Sequence, residues 1–102
     1  MYNVILSNDA NNDINQIVIF IRTESGSLKV ARKYFDKLET AILSLNKFPE
    51  RGSNPRYKIL RNQGFKFIVV ESHLVFYKIN EVNKNVIVYR VLHNKSAYQN
   101  FL

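Results

Sequence analysis

The chain has 102 residues, room for one domain and too few for two, and its 46% apolar content is that of an ordinary globular core. Cysteine is absent, which excludes disulfides, thiolate metal clusters and a cysteine nucleophile, and suits a reducing cytosol. Fifteen Lys and Arg against eight Asp and Glu give a net charge of +7, a positive field that favours an acidic partner.

Charge is unevenly placed. Most carboxylates lie in the first half, whereas residues 56 to 95 carry Arg56, Lys58, Arg61, Lys66, Lys78, Lys84, Arg90 and Lys95 against Glu71 and Glu81 alone. The longest apolar run, Ile17 to Ile21, falls far short of the ~18 residues of a membrane span. No basic-then-apolar leader opens the chain. The expectation is a soluble cytoplasmic protein with no membrane partner.

Tyr2 to Leu6 reads as a short strand of β-branched and aromatic residues. Ser7 follows as a helix N-cap, with Asp9 and Asp13 suited to the positive end of the helix dipole. Ile14, Ile17, Val18 and Ile21 then keep helical spacing and predict a helix over about residues 8 to 23. Ser25-Gly26-Ser27 breaks that pattern, and either serine can cap a second helix. Its stripe is Ala31, Tyr34, Phe35, Leu38, Ala41, Ile42, Leu45 and Phe48, and the short turn predicts an antiparallel helical hairpin. These aromatic side chains are read as core.

Pro49 ends the second helix, and Phe48 to Pro55 is a turn-rich connector in which Arg51 can tie the loop to a helix end. Beyond it the period becomes strand-like. Strands are predicted over Tyr57–Arg61, Phe65–Glu71, Leu74–Ile79 and Val86–Val91, forming an antiparallel meander through short separators. His73 is placed in a hairpin turn. Phe65, Phe67, Val69 and Glu71 share one face of their strand, and Lys66, Ile68 and Val70 the other. One face is expected to carry the helical hairpin and the other to stay open for a cleft or a partner chain. The tail from Lys95 is a helical turn or an irregular segment, with Tyr98, Phe101 and Leu102 able to dock. The fold class is α+β in the order β-α-α-β-β-β-β, with the N-terminal strand and helical hairpin packed on a mainly antiparallel twisted sheet.

That order, in this length and with a basic meander, resembles the RelE/ParE toxin superfamily. Five words carry the resemblance in the family's order: the opening Tyr2-Asn3-Val4-Ile5-Leu6-Ser7-Asn8-Asp9-Ala10, then Phe48-Pro49-Glu50-Arg51-Gly52, Leu60-Arg61-Asn62-Gln63-Gly64-Phe65-Lys66, Leu74-Val75-Phe76-Tyr77 and Val88-Tyr89-Arg90-Val91-Leu92-His93. The connector and the Arg90–His93 ending look more like the ParE side than the mRNA-cutting RelE side. The resemblance implies the toxin of a type II toxin-antitoxin system, a growth inhibitor neutralised by a cognate antitoxin. Its target is implied to be DNA gyrase, or, on the RelE side, ribosome-bound mRNA.

A metal-free ribonuclease needs a base for the 2′-hydroxyl, an acid for the leaving oxygen and cations for the growing phosphate charge. By resemblance, the candidates for those roles are Lys58, Arg61, Lys66, Arg90, His93 and Tyr98. Two departures weigh against a nuclease. Leu60 stands where RelE-like members often place a second basic residue, and the tail lacks their Arg-Tyr-His-Tyr ending. Four of them also have a structural reading: His93 can cap the tail, Arg61 and Arg90 can pair with Glu71 or Glu81, and Tyr98 can pack the tail or stack a base. Tyr77 is read as core with its hydroxyl at an edge. No metal or cofactor is expected, since two histidines without cysteine fit no zinc spacing and Gly26, Gly52 and Gly64 each stand alone. A non-toxic nucleic-acid-binding module is the remaining alternative, without an RNP-like aromatic word to support it.

Overall fold

The computed structural model describes residues 1–101; Leu102, expected to dock with the tail, lies outside them. Strand β1 (Asn3–Leu6) runs straight into helix α1 (Asn8–Ser25) through the expected cap. Ser7 Oγ accepts the Ala10 N–H at 3.0 Å and donates to the Tyr89 carbonyl at 2.9 Å, so one hydroxyl starts the helix and pins it to the sheet. Ser7→Ala is therefore expected to cost about 1–2 kcal/mol and to lower the melting temperature by about 5–10 °C. Ser7→Thr, which keeps the oxygen, should recover most of that loss in the same thermal melt.

Helix α1 ends on Gly26, whose left-handed backbone (φ 67°) lets its N–H return to the Arg22 carbonyl at 2.9 Å. Ser27 caps helix α2 (Leu28–Leu43). Ala31, Leu38, Ile42 and, just beyond the helix, Leu45 are buried, while Phe48, expected to close the stripe, is 64% exposed because the chain tightens from α-helix into a 3-10 turn at Ser44–Asn46 and the α-helical period is lost. Arg51 ties the connector to the end of α2, as expected, donating from Nε to Ser44 Oγ at 3.0 Å and from Nη2 to the Ala41 carbonyl at 3.3 Å.

The segment predicted as strand Tyr57–Arg61 is instead a short helix, α3 (Lys58–Asn62). Only Leu60 of its side chains is buried. One helical turn sends Leu60 inward and folds the Arg61 guanidinium back onto the Pro55 and Arg56 carbonyls, at 2.9 and 2.6 Å. Strands β2 (Lys66–Val70), β3 (His73–Asn80) and β4 (Asn85–His93) make the expected meander. The fourth strand of the sheet is β1, which pairs parallel to β4 and gives the order β1-β4-β3-β2. A last short helix, α4 (Ala97–Phe101), closes the described chain.

Both sheet faces are covered, which corrects the expectation of an open second face. Val75, Tyr77, Val86, Val88, Ile68 and Val70 pack under the α1/α2 hairpin. Leu74, Phe76 and Leu92 pack with Leu60, Phe65 and Ala97 under α3 and α4. The parity read for β2 holds, with Phe65 and Phe67 on the α3/α4 side and Ile68 and Val70 on the other. No helix among the described residues is long and apolar enough to cross a membrane.

Candidate functional site

β4 outruns its neighbour β1, whose last paired residue is Leu6, opposite Val88. Past that point the backbone of β4 lacks a strand partner on this side, and α1 supplies one. Asp13 Oδ2 accepts the Val91 N–H at 2.9 Å. The same carboxylate holds Arg90 in a fork, with Nε at 2.8 Å and Nη2 at 3.0 Å from its two oxygens. The Asp13 side chain is only 13% exposed, so this charge-assisted pair is partly shielded from water. Hydrogen bonding to Asp13, together with the Asp13 and Asp9 charges, pushes the Arg90 guanidinium still higher than its ordinary range. Arg90 thus pairs with neither Glu71 nor Glu81, the partners weighed from sequence; these meet Lys37 and Lys84.

Next to this pair, His73 and His93 face each other across β3 and β4, with ring centroids 5.4 Å apart and nearly perpendicular planes. His73 is no turn residue: the turn is Glu71-Ser72, with Glu71 in the left-handed region (φ 54°), and His73 opens β3 buried. The Tyr34 hydroxyl meets His73 Nδ1 at 2.5 Å and lies 3.3 Å from Ser72 Oγ. His93 is exposed and its Nδ1 accepts the Lys95 N–H at 3.1 Å, capping the turn into the tail. These groups line a groove of about 560 Å³ whose other wall is the apolar side of α1, Ile17, Phe20 and Ile21.

Burial, reinforced by the neighbouring His93, lowers the His73 imidazole to about 4. The unfolded chain, titrating near ~6.5, then binds more protons than the fold between those two values, so stability falls as pH drops through that window and levels off below about 4. Allowing for solvent that reaches the ring from the groove, the loss is on the order of 2 kcal/mol. The difference in unfolding free energy between wild type and His73→Gln, measured by urea melts at pH 7.5 and 4.5, should shift by that amount. An unchanged difference would count against the buried, neutral imidazole.

The remaining sequence candidates sit elsewhere. Lys58 is exposed on the first turn of α3, Arg61 is held by two backbone carbonyls, and Lys66 lies 3.6 Å from Glu50. The Tyr98 hydroxyl accepts the Arg56 N–H at 3.1 Å and its ring packs edge-on against Phe76. Arg90 and His93 therefore share the groove beside α1, while Lys58, Arg61 and Tyr98 belong to the α3/α4 side.

A family model, described as the ParE toxin of the type II toxin-antitoxin system parDE, matches residues 4–98. The chain belongs to the ParE toxin family. None of the curated protein sequences matches it. Among solved structures, this ParE-family chain resembles one from the chromosomal ParDE toxin-antitoxin system of P. aeruginosa, with 14% identity, a TM-score of 0.75, and 91% of this chain and 96% of that one covered. It also resembles a chain of the RelBE2 toxin-antitoxin complex of Mycobacterium tuberculosis (19% identity, TM-score 0.62, 90% and 96% covered). A third likeness is to a YoeB/ParE toxin from Agrobacterium tumefaciens (10% identity, TM-score 0.61, 89% and 96% covered). At these identities the likeness is one of fold.

Sequence reasoning missed three members of the ParE-family groove. Asp13 was visible as a first-helix acid suited to the dipole, but its role as the edge acceptor of β4 depends on β1 being short. Tyr34 was assigned to the core, where its ring indeed packs, and nothing in the helical period distinguishes a hydroxyl aimed at His73. Phe20 falls outside the regular stripe and is 63% exposed.

Proposed function

We propose that this ParE-family toxin arrests growth in the cytoplasm by acting on DNA gyrase, and that a cognate antitoxin neutralises it by covering the groove between α1 and the end of β4. One observation carries the choice of target. The two arginines that a nuclease would turn toward phosphate are engaged within the chain, Arg90 by Asp13 and Arg61 by the Pro55 and Arg56 carbonyls. Releasing either would break contacts that hold the fold. The antitoxin reading is supported by Ile19 and Phe20, which lie about two-thirds exposed on α1 (64% and 63%). Apolar surface left uncovered beside a groove suits an amphipathic partner segment, and acidic residues in it would offset the +7 charge.

Inducing the protein in cells tests the target. A DNA-damage response with intact message is the expected result, whereas prompt loss of translation with cleaved mRNA would establish the RelE-like nuclease and overturn the gyrase reading. Neither effect in a growing culture would favour a non-toxic nucleic-acid-binding module. For the partner, Phe20→Asp should leave toxicity and melting temperature unchanged while abolishing rescue by the co-expressed cognate antitoxin.

A further inference from the structure

The sheet β1-β4-β3-β2 has two outer strands, and they are defended unequally. The outer edge of β2 is capped by Ser53, which exchanges both backbone bonds with Phe67 at 2.8 and 3.0 Å, and the Lys37–Glu71 ion pair stands at its end. β1 has neither device. Residues 2–8 contain no charged side chain and no proline, the features by which an edge strand turns away a further strand.

The backbone of β1 alternates between its two sides. The Asn3 and Ser7 N–H groups donate toward β4, to the Lys84 and Val88 carbonyls at 2.9 Å, whereas the Tyr2 N–H donates outward to the Asn46 carbonyl at 2.9 Å. Val4 and Leu6 share the parity of Tyr2, so their N–H and C=O groups point outward, where the described residues offer them no partner. On the helix side the edge opens into a pocket of about 150 Å³ whose walls include Val4, Leu6, Leu38, Ile42 and Leu43 and no residue of β4. Leu43 is 54% exposed there, and Ile5, on the other face of the strand, is 45% exposed.

We propose that a second copy of this chain occupies this edge, the two β1 strands pairing antiparallel about Ile5 to make one continuous sheet. The strand is self-complementary in that register. Val4 of each copy lies opposite Leu6 of the other, in hydrogen-bonded pairs that use every outward group of both residues. Their side chains then stand together on the helix side, so the two pockets join across the two-fold axis. Ile5 meets Ile5 on the opposite face and covers it. Such a contact uses the same patch on both copies and closes on itself.

Charge selects this occupant. A body of +7 repels its own copy over most approaches, so self-association needs an uncharged contact, which residues 2–8 supply. An acidic strand, attracted elsewhere on the surface, finds no cation on β1, and the charged side chain in the pocket wall is Glu39. The contact is smaller than the ~1,200 Å² of standard specific interfaces, so the dimer forms at high protein concentration and parts on dilution. The proposal does not depend on the toxin's target or on the groove beside α1.

Sedimentation velocity of the full chain should show monomer at ~5 µM and a growing dimer toward ~300 µM, as a small interface requires. Raising salt from ~0.15 to ~0.5 M should preserve or strengthen it, since screening removes only repulsion. Because the chain has no cysteine, Ile5→Cys places a single thiol at the dyad, where facing Cα atoms lie ~4.5 Å apart, within disulfide reach. Mild oxidation should crosslink Ile5→Cys about tenfold faster than Asn3→Cys, on the same face but off the axis, or Ile19→Cys, exposed on α1. Ile5→Lys sets like charges opposite each other and should stay monomeric at ~300 µM with an unchanged melting temperature. The proposal is overturned if wild type remains monomeric at that concentration, if folded Ile5→Lys associates like wild type, or if the three cysteine variants crosslink at equal rates.

Discussion

Replacing Gly52 with alanine is expected to cost about 3 kcal/mol or more and to lower the melting temperature by on the order of 15 °C. The backbone at Gly52 is ordinary (φ −75°), so the penalty is one of space. A Cβ there would sit 2.3 Å from the Tyr77 hydroxyl oxygen and 2.9 Å from the Phe67 carbonyl oxygen. Neither neighbour can yield cheaply. Tyr77 is fully buried, and its hydroxyl donates to the Pro49 carbonyl at 2.5 Å while accepting the Gly52 N–H at 3.0 Å. Phe67 exchanges both backbone bonds with Ser53, at 2.8 and 3.0 Å, so its carbonyl is fixed to the same connector. The Phe-Pro-Glu-Arg-Gly word is thus explained by packing: the connector closes over a core tyrosine, and its last residue must be the smallest. Tyr77→Phe alone should cost about 1–2 kcal/mol, leaving the Pro49 and Gly52 groups without their partner. Combined with Gly52→Ala it removes the clashing oxygen, so the double variant should melt above Gly52→Ala. A Gly52→Ala protein melting within a degree or two of wild type would show that the connector can lift away from Tyr77.

Much of this architecture was legible because periodic burial is written in the chain. The stripes of α1 and α2, the Ser7 cap, the three-strand meander and the tie from Arg51 to α2 all follow from spacing and side-chain chemistry. Failures arose where a segment was too short for its period to be read. Five residues from Tyr57 to Arg61 satisfy strand alternation about as well as a single helical turn, and the choice was made by Leu60 finding a core under α4 that no local pattern announces. The same misreading supplied a false fourth strand, whose place belongs to β1 through a long-range parallel pairing. The groove depended on a smaller event. β3 and β4 pair Asn80 with Asn85, but after one extra residue at Tyr89 they pair Phe76 with Arg90 and His73 with His93. Without that bulge His73 would face Leu92, and Val91 would turn away from the helix side that it shares with Val88. The candidates Arg61 and Arg90 were recognisable as cations able to grip an anion. Their actual acceptors, two carbonyls and Asp13, could be named only once the loops were placed.

Asp13→Ala is expected to destabilise the fold by about 3 kcal/mol, more than Arg90→Ala at about 1–2 kcal/mol. The asymmetry follows from what each change leaves behind. Without Asp13, both the Arg90 guanidinium and the Val91 N–H lose their acceptor at the open edge of β4. Without Arg90, the carboxylate still accepts the Val91 N–H and can draw water from the groove. Because the two residues share one interaction, their effects should not add: Asp13→Ala with Arg90→Ala should cost no more than Asp13→Ala alone, giving a coupling of about 2 kcal/mol in a double-mutant cycle. Urea unfolding of the four proteins at neutral pH measures it, and additive effects would refute the pairing. The cycle also decides how toxicity data are read. If Arg90→Ala loses killing together with stability, and the double variant behaves as Asp13→Ala does, the residue acts through the fold. Killing lost at unchanged stability would instead place Arg90 on the target, and with it the phosphate-handling role that the Asp13 fork argues against.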